Sequence, residues 1–449
     1  MSNQSTGVLE RLFHLSENNT TVKRECLAGL TTFVSMAYIL FVNPIILGDA
    51  GMDAGAVFTA TALSAIMGCL LMGCLLMGFL ANYPIAIAPG LGDNAFFTYS
   101  VVLAMGIPWQ QAMGGVFVAS ILFTLVSLFK IREIIIDAIP QDLKYAMAAG
   151  IGIFISFVGL QGGGIVVSDP SSLVAIGSFK VPTTWLTIFG LFVTAILMAK
   201  KVPGSIFYGI VLTAIMGLVT QIIPPPESII SMAPSLAPTF GIGVSNMTSI
   251  LSDPQMWAVV VIFFLVAFFD TAGTLIGLAQ QAGIMRNGKM PRIGRALMAD
   301  SLSMLGGAVM GTTPTAAYVE SSAGIAVGAR TGLTAIVVAV LFAFSMIFSP
   351  LLAVVTAQVT APALIIVGVL MTSSLREIHW DQFEVAFPAF MVIIGMPLTF
   401  NISYGIAFGF LFYPILMMIA GRRKELNPLI WVMLVLFLVL LYTLTMLKF

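Results

Sequence analysis

Four carboxylates interrupt the apolar stretches of this 449-residue chain: Asp93, Asp270, Asp300 and Glu320. An ionised group at the centre of a membrane helix costs about 2.5–3.5 kcal/mol on insertion scales, so each marks a candidate site. Glu320 lies in Gly311-Thr-Thr-Pro-Thr-Ala-Ala-Tyr-Val-Glu-Ser-Ser-Ala-Gly324. Pro314, the paired threonines and the glycines make that segment a poor continuous helix. A helix broken at mid-membrane exposes backbone N–H and C=O groups to a polar ligand. The first half of the chain holds a counterpart, Ala88-Pro-Gly-Leu-Gly-Asp-Asn-Ala-Phe-Phe97, also broken by Pro and Gly. Corresponding broken segments in two halves are the best sequence pointer to a transporter site. Asn94 offers both a donor and an acceptor, which suits a heterocyclic amide. Its neighbour Asp93 points elsewhere on any regular element and fits a buried network as well as a pocket.

Asp270 follows the apolar run Trp257–Phe269 and precedes Thr271-Ala-Gly-Thr-Leu-Ile-Gly277, whose small residues allow close helix approach. No basic residue is near it in sequence, and intramembrane acids of this kind carry protons in transporters. Asp300 begins a span at the side where water reaches it, so it reads as an ordinary polar position. His14 and His379 fall in loops, away from any mid-membrane relay. The Gly150–Gly152 pair lies inside a span and reads as helix packing. Cys26, Cys69 and Cys74 have no metal spacing and read as buried, inert thiols. No Walker loop, Ser/His/Asp grouping or metal-spaced cluster appears, so no cofactor and no metal is expected.

These residues need a membrane scaffold to position them. Of the chain, 59% is hydrophobic and only 8% is charged, against about 25% charged residues in soluble domains. Net charge is zero, which leaves no basic surface for nucleic acid. Apolar runs of bilayer length predict spans at 25–47, 54–80, 83–105, 109–129, 142–161, 183–199 and 204–223. A second series falls at 255–279, 294–311, 312–328, 331–356, 359–374, 384–400, 402–420 and 428–447. Residues 312–328 are too broken for a plain helix, and 428–447 is either an extra span or an interfacial helix. Residues 1–24 are polar and of mixed charge, so they read as a cytoplasmic tail ahead of a retained first span.

With that tail inside, 17 of the 19 basic residues fall in inner segments, and only Lys180 and Lys448 lie outside. The bias fixes the expected topology. The domain reading is a first repeat over 25–223, an outer connecting loop over 224–254, a second repeat over 255–427 and a terminal apolar segment over 428–449. Residues 130–141 and Leu9–Leu15 read as interfacial helices. The tandem Gly-Cys-Leu-Leu-Met at 68–72 and 73–77 makes the second span long.

The motifs together resemble a known family. Gly29-Leu-Thr-Thr-Phe-Val-Ser-Met-Ala-Tyr-Ile-Leu-Phe-Val-Asn-Pro44, Ala88–Phe97, Phe269–Gly277, Tyr318–Gly324 with Gly328–Gly332, and Ala361–Ser373 are similar to the AzgA-like hypoxanthine/guanine/adenine permeases. The resemblance covers nearly the whole chain. It implies the nucleobase–ascorbate transporter fold: an all-α polytopic protein of about fourteen spans, as two inverted seven-span repeats, with core and gate domains. Short extended strands in the third and tenth spans would meet at the substrate. By the same resemblance Glu320 binds the purine with the backbone of Val319 and Ala95, Asn94 adds specificity, and Asp270 joins in binding or proton coupling. Asp93 stands where the family commonly has an apolar residue. Ala267 stands where many guanine/hypoxanthine members carry Asp or Asn and adenine-type members can carry Ala. The implied partners are a purine nucleobase, protons and membrane lipid, and a homodimer is the assembly such a fold admits. The implied location is the cytoplasmic membrane.

The functional expectation is proton-coupled symport of hypoxanthine, guanine or adenine. An anion exchanger or uniporter of related fold is the alternative, weakened by acidic midplane residues. A membrane enzyme comes third, because no His or nucleophile–base set lies at midplane.

Overall fold

Backbone amides cannot stay unpaired in lipid, so apolar runs of this length fold as helices wherever nothing else pairs them. The computed structural model describes residues 8–73, 81–128, 140–251, 254–284, 291 and 293–446. A short α1 (Val8–Phe13) precedes the first span, which is split into α2 (Val22–Met36) and α3 (Ile39–Asp49). Thr21 starts α2 by accepting from the Arg24 amide, the expected task of a threonine at a helix N-cap. Asp53 does the same for α4 (Ala54–Gly73), at 2.7 Å from the Ala56 amide.

The third span is not one helix. It runs as β1 (Ile87–Pro89), α5 (Leu91–Ala95) and a π-helical stretch over Phe96–Ala104. Then come α6 (Trp109–Leu128), α7 (Gln141–Gly162), α8 (Pro182–Ala199) and α9 (Ser205–Val219). The 162–182 loop folds into a hairpin of β2 (Val166–Asp169) and β3 (Leu173–Ile176). After the short α10 (Ile242–Ser245), the second series opens with α11 (Pro254–Gln281) and α12 (Ile293–Met310). The tenth span is β4 (Thr315–Ala317) and α13 (Ser321–Val327). It is followed by α14 (Leu333–Ser345), α15 (Ala357–Met371), α16 (Phe383–Thr399), α17 (Ile402–Ile419) and α18 (Pro428–Met446).

All fifteen apolar segments thus carry regular structure, and 312–328 is broken as expected. Three readings fall outside the described residues: the helix at 130–139, the second copy of the tandem at 74–77 and the burial of Cys74 within it. Two others are corrected. Cys26 is exposed, because it sits on the outer face of α2's first turns. Asp300 is fully buried, because depth along a span says nothing about which face of the helix a residue occupies.

Packing divides the spans into two bundles. The first four spans pack with the eighth to eleventh, and the fifth to seventh pack with the twelfth to fourteenth. These are the core and the gate. Corresponding spans of the two halves meet: α4 packs on α12, and α7 on α15. Lipid tails are as apolar as leucine, so close approach through small residues holds such helices together. Gly152 and Gly368 show it, since a Cβ on Gly368 would lie 2.2 Å from the Gly152 carbonyl oxygen. The Phe410 and Phe437 rings stack at 5.1 Å. Each sits equally far from the turn joining α17 to α18, so the last helix runs back antiparallel along the fourteenth span rather than across it.

Beyond the ends of the gate helices, charged groups tie its loops together. Asp142, in the first turn of α7, accepts from the His379 backbone N–H and pairs with its Nδ1, both at 2.9 Å. Arg422 pairs with Glu384 at 2.8 Å and Glu425 at 2.7 Å. The hydrogen bond and charge of Asp142 push the His379 pKa above its ordinary 6.5. Protonated His379 is therefore favoured in the fold. Its contribution is complete below about pH 6.5 and is lost as pH rises through the raised value. The melting temperature of the purified protein should fall across that window, and His379→Gln should flatten the fall. An unchanged pH profile in the variant would exclude the pair as its source.

Candidate functional site

Pro84, Pro89 and Pro314 deny the third and tenth spans a continuous helical hydrogen-bond ladder. Their backbones pair with each other instead. β1 and β4 run antiparallel with Ile87 opposite Ala317, Ala88 opposite Ala316 and Pro89 opposite Thr315. The ladder extends at both ends, where Gly90 N–H donates to the Pro314 carbonyl and Tyr318 N–H to that of Ala86, each at 2.9 Å. Side chains cover the outer edges. Ser321 Oγ accepts from the Ala86 amide at 3.0 Å, and Cys69 Sγ lies 3.4 Å from the Ile87 amide. Tyr318 donates its hydroxyl to the Pro89 carbonyl at 2.5 Å, and Thr315 bonds Ser303 at 2.8 Å.

Glu320 stands where β4 passes into α13, half-buried at the wall of a cavity of about 610 Å³. That volume lies within the usual range for small-molecule sites. Tyr38, at the break between α2 and α3, donates its hydroxyl to Glu320 Oε1 at 2.5 Å. Gly90, Gly92, Thr274 and Val319 also line the cavity. The cavity continues to the 202–206 turn of the gate and to Met371 and Ser373 at the end of α15. On the opposite side, core and gate are in contact. Tyr99 of the third span meets Phe400 at a centroid distance of 5.7 Å and Phe154 at 6.2 Å. Ser100 Oγ accepts from the Ile402 amide at 3.0 Å, and Tyr99 donates to Asp49 at 2.9 Å. The site is open toward one end and shut toward the other.

Of the residues expected at the site, Glu320 and Val319 line the cavity. Val319 is 58% exposed, high for a valine at the heart of a bundle. Asn94 is fully buried behind the wall, and its Oδ1 accepts from Thr313 Oγ1. Its Nδ2 has no partner among the described residues, which leaves one buried donor for a ligand or water to complete. Asp93, Ala95 and Ala267 are also buried and are not among the residues lining the cavity. The side chain of Asp270 lies outside the described residues. Its position on α11 is one helical turn before Thr274, which does line the cavity.

Sequence reading passed over Tyr38 and Glu25. A phenol deep in an apolar span, away from the interfaces that tyrosine favours, was the available signal for the first. Glu25 is fully buried, accepting from the Arg330 amide at 2.9 Å and from Thr334 Oγ1 at 2.6 Å. It ties α2 to the start of α14 and so fixes the end of the segment that carries Glu320. Nearby, Gly324 of α13 lies against α2, where a Cβ would come within 2.7 Å of the Ala28 carbonyl oxygen and 2.1 Å of Thr32 Oγ1. Gly324→Ala should therefore cost about 1–3 kcal/mol of stability by overpacking. A variant as heat-stable as the parent would show that α13 can shift freely.

The Permease family profile matches residues 23–408. The chain is 52% identical over 438 residues to the guanine/hypoxanthine permease PbuG of Bacillus subtilis, covering 96% of this chain and 98% of that protein. It is 40% identical over 452 residues to the adenine permease AdeP of Escherichia coli, covering 97% and 98%. Among solved structures, it resembles the transmembrane domain of a cyanobacterium bicarbonate transporter, BicA, with a TM-score of 0.64. The identity there is 15%, over 86% of this chain and 97% of that one. It also resembles SLC26A9, with a TM-score of 0.60 at 11% identity over 92% and 69%.

Proposed function

The chain belongs to this permease family, the nucleobase–ascorbate transporters, and on that premise we propose that it carries purine nucleobases across the cytoplasmic membrane. The observation that carries this reading is the Glu320 carboxylate, held by Tyr38 at the wall of the cavity beside the β1–β4 crossing. A carboxylate accepts hydrogen bonds and donates none when ionised. It suits the ring and exocyclic N–H groups of a purine and repels an anion, which counts against anion exchange. Val319 offers its backbone beside it at the cavity wall, and Ala95 stands behind that wall. Asn94, held by Thr313 behind the wall, shapes the site from there rather than by lining it.

The cavity reaches the turn next to Lys200 and Lys201. With the N-terminus and the basic loops in the cytoplasm, the cavity faces inward and the Tyr99–Phe154–Phe400 cluster closes the outer side. Alternating access then moves the gate against the core, with 25–223 and 255–427 as the two repeats. Phe96 packs on Phe263 at 4.7 Å. One turn along each helix lie Asp93 and Ala267, both buried behind the cavity wall, and we assign any influence they have on purine choice to that indirect position.

The direct test is uptake of labelled hypoxanthine, guanine and adenine in cells lacking their own purine permeases. The parent protein should restore uptake, and Glu320→Gln should abolish it at normal expression and melting temperature. Full uptake by that variant would overturn the assignment of Glu320.

A neutral purine gains nothing from the membrane potential, so accumulation needs a coupled ion. Acids inside membrane spans serve as proton carriers in transporters. Asp270 and Glu320 are the pair we assign to protons. In proteoliposomes an imposed proton gradient should drive accumulation, and an uncoupler should abolish it. Asp270→Asn should bind purine but fail to concentrate it. Accumulation that persists with the uncoupler and requires sodium would exclude proton coupling.

A further inference from the structure

Phe13 and Leu15 are each 4% exposed and pack on Leu333, with Ile336 beside them, in the first turn of α14. Leu333, Ile336, Val340 and Phe344 are spaced by three and four residues, so they share one side of that helix. Val340 and Phe344 are exposed and face lipid in a spanning helix. The N-terminal tail therefore covers the first turn of a lipid-facing stripe. Polar contacts hold it there. Buried Asn82 donates its Nδ2 to the Phe13 carbonyl at 3.1 Å and accepts from the Gly332 amide at 2.7 Å. The Ser16 amide donates to Glu10 Oε1 at 3.0 Å and closes the turn after α1.

This docking uses one edge of α1. At about 3.6 residues per turn, Val8, Leu12, Leu9 and Phe13 fall within an arc of about 140°, with Glu10 and Arg11 outside it. Phe13, at one end of the arc, is the member seated on α14. Val8, Leu9 and Leu12 are 73%, 40% and 49% exposed. Leu27 and Leu30 of α2, which packs on α14, are exposed too. Exposed Lys23 and Arg24 stand at the foot of the same span, at headgroup height. A helix with an apolar arc and a polar back, set at this height beside spanning helices, lies in the plane of the interface. We propose that α1 is a lipid-docking helix: Val8, Leu9 and Leu12 sit among the acyl chains beneath the headgroups of the leaflet on the N-terminal side, the cytoplasmic one on the orientation given above. Phospholipid is the occupant because the α14 stripe and the neighbouring face of α2 are already lipid-facing. Asn82 ties the seat to the segment just before β1 and, through Gly332, to the loop after α13, so the leaflet braces the inner ends of both broken spans. This seating does not depend on which cargo the chain carries.

The test is the relaxation of nitroxide labels on the full-length chain in phosphatidylcholine–phosphatidylglycerol vesicles. Exposed Cys26 is first replaced by Ser, and the Cys26→Ser protein gives the baseline. Leu9→Cys, Leu12→Cys and, on the polar back, Arg11→Cys then each carry one label. Oxygen partitions into acyl chains, whereas a nickel chelate stays in water. Labels at 9 and 12 should be relaxed more by oxygen and the label at 11 more by the chelate, so the depth parameter changes sign across the helix. The same sign at all three positions would overturn the proposal, placing α1 wholly in water or wholly in the acyl core. Shielding of 9 and 12 from both reagents, or broadening of their spectra by a second label, would overturn it by showing protein or another copy of the chain on that face. If Leu12→Cys does not fold, positions 9 and 11 decide alone.

Discussion

Two short strands in the middle of a membrane must satisfy their backbone groups without water, and in this protein each can do so only with the other. β1 and β4 come from spans that are far apart in sequence, yet the Gly90–Pro314 and Tyr318–Ala86 bonds close the ladder at both ends. The cost of an unpaired amide in lipid, several kcal/mol per group, holds the two halves of the core together at their midpoints. It also explains the side chains at the edges. Cys69, Ser321 and the Tyr318 hydroxyl reach backbone groups that no third strand is present to pair. Where the strands give way to α5 and α13, the chain leaves regular hydrogen bonding at mid-membrane, and there the cavity and Glu320 are found.

A carboxylate at that depth needs partners of its own. Tyr38 supplies one, and it can do so because the first span breaks at Ala37 and Tyr38 instead of running through. Asn43, one turn further along, bonds Thr61 and Thr312 and so links the first, second and tenth spans. Glu25 ties the other end of the same span to the start of α14. The core is therefore cross-linked by polar contacts at three levels. Among the described residues the gate meets it through aromatic rings, close packing of Gly204 on Val34 and one backbone-to-hydroxyl bond at Ser100. Rigid-body motion is easiest where few directional bonds must break, which is the boundary between gate and core.

The spans, their order and the two broken segments were legible in the sequence because lipid imposes a length and Pro and Gly forbid continuity. Glu320 was legible for a similar reason, as an acid with no local partner in an apolar run. What escaped was pairing across long separations. Tyr38 looks like one more aromatic in a span until the fold brings Glu320 to it. The partner of Asn94, Thr313, is equally remote. Asp300 was misread because hydropathy gives depth and not facing, and Cys26 for the same reason. The 166–176 hairpin went unnoticed because its strands are short and mostly exposed. Glu25 sat at the margin of a span, where an acid raises no alarm.

Sharing of this scaffold by chains of very low identity means that the crossing of β1 and β4 does not itself choose a cargo. The choice must lie in what the flanking residues present. A backbone crossing offers amides and carbonyls of both signs, so one charged side chain tips the balance. In this chain the side chain beside the crossing is acidic, and a phenol holds its carboxylate. On the reading proposed above, a ligand arriving there must improve on, or accommodate, a bond already made.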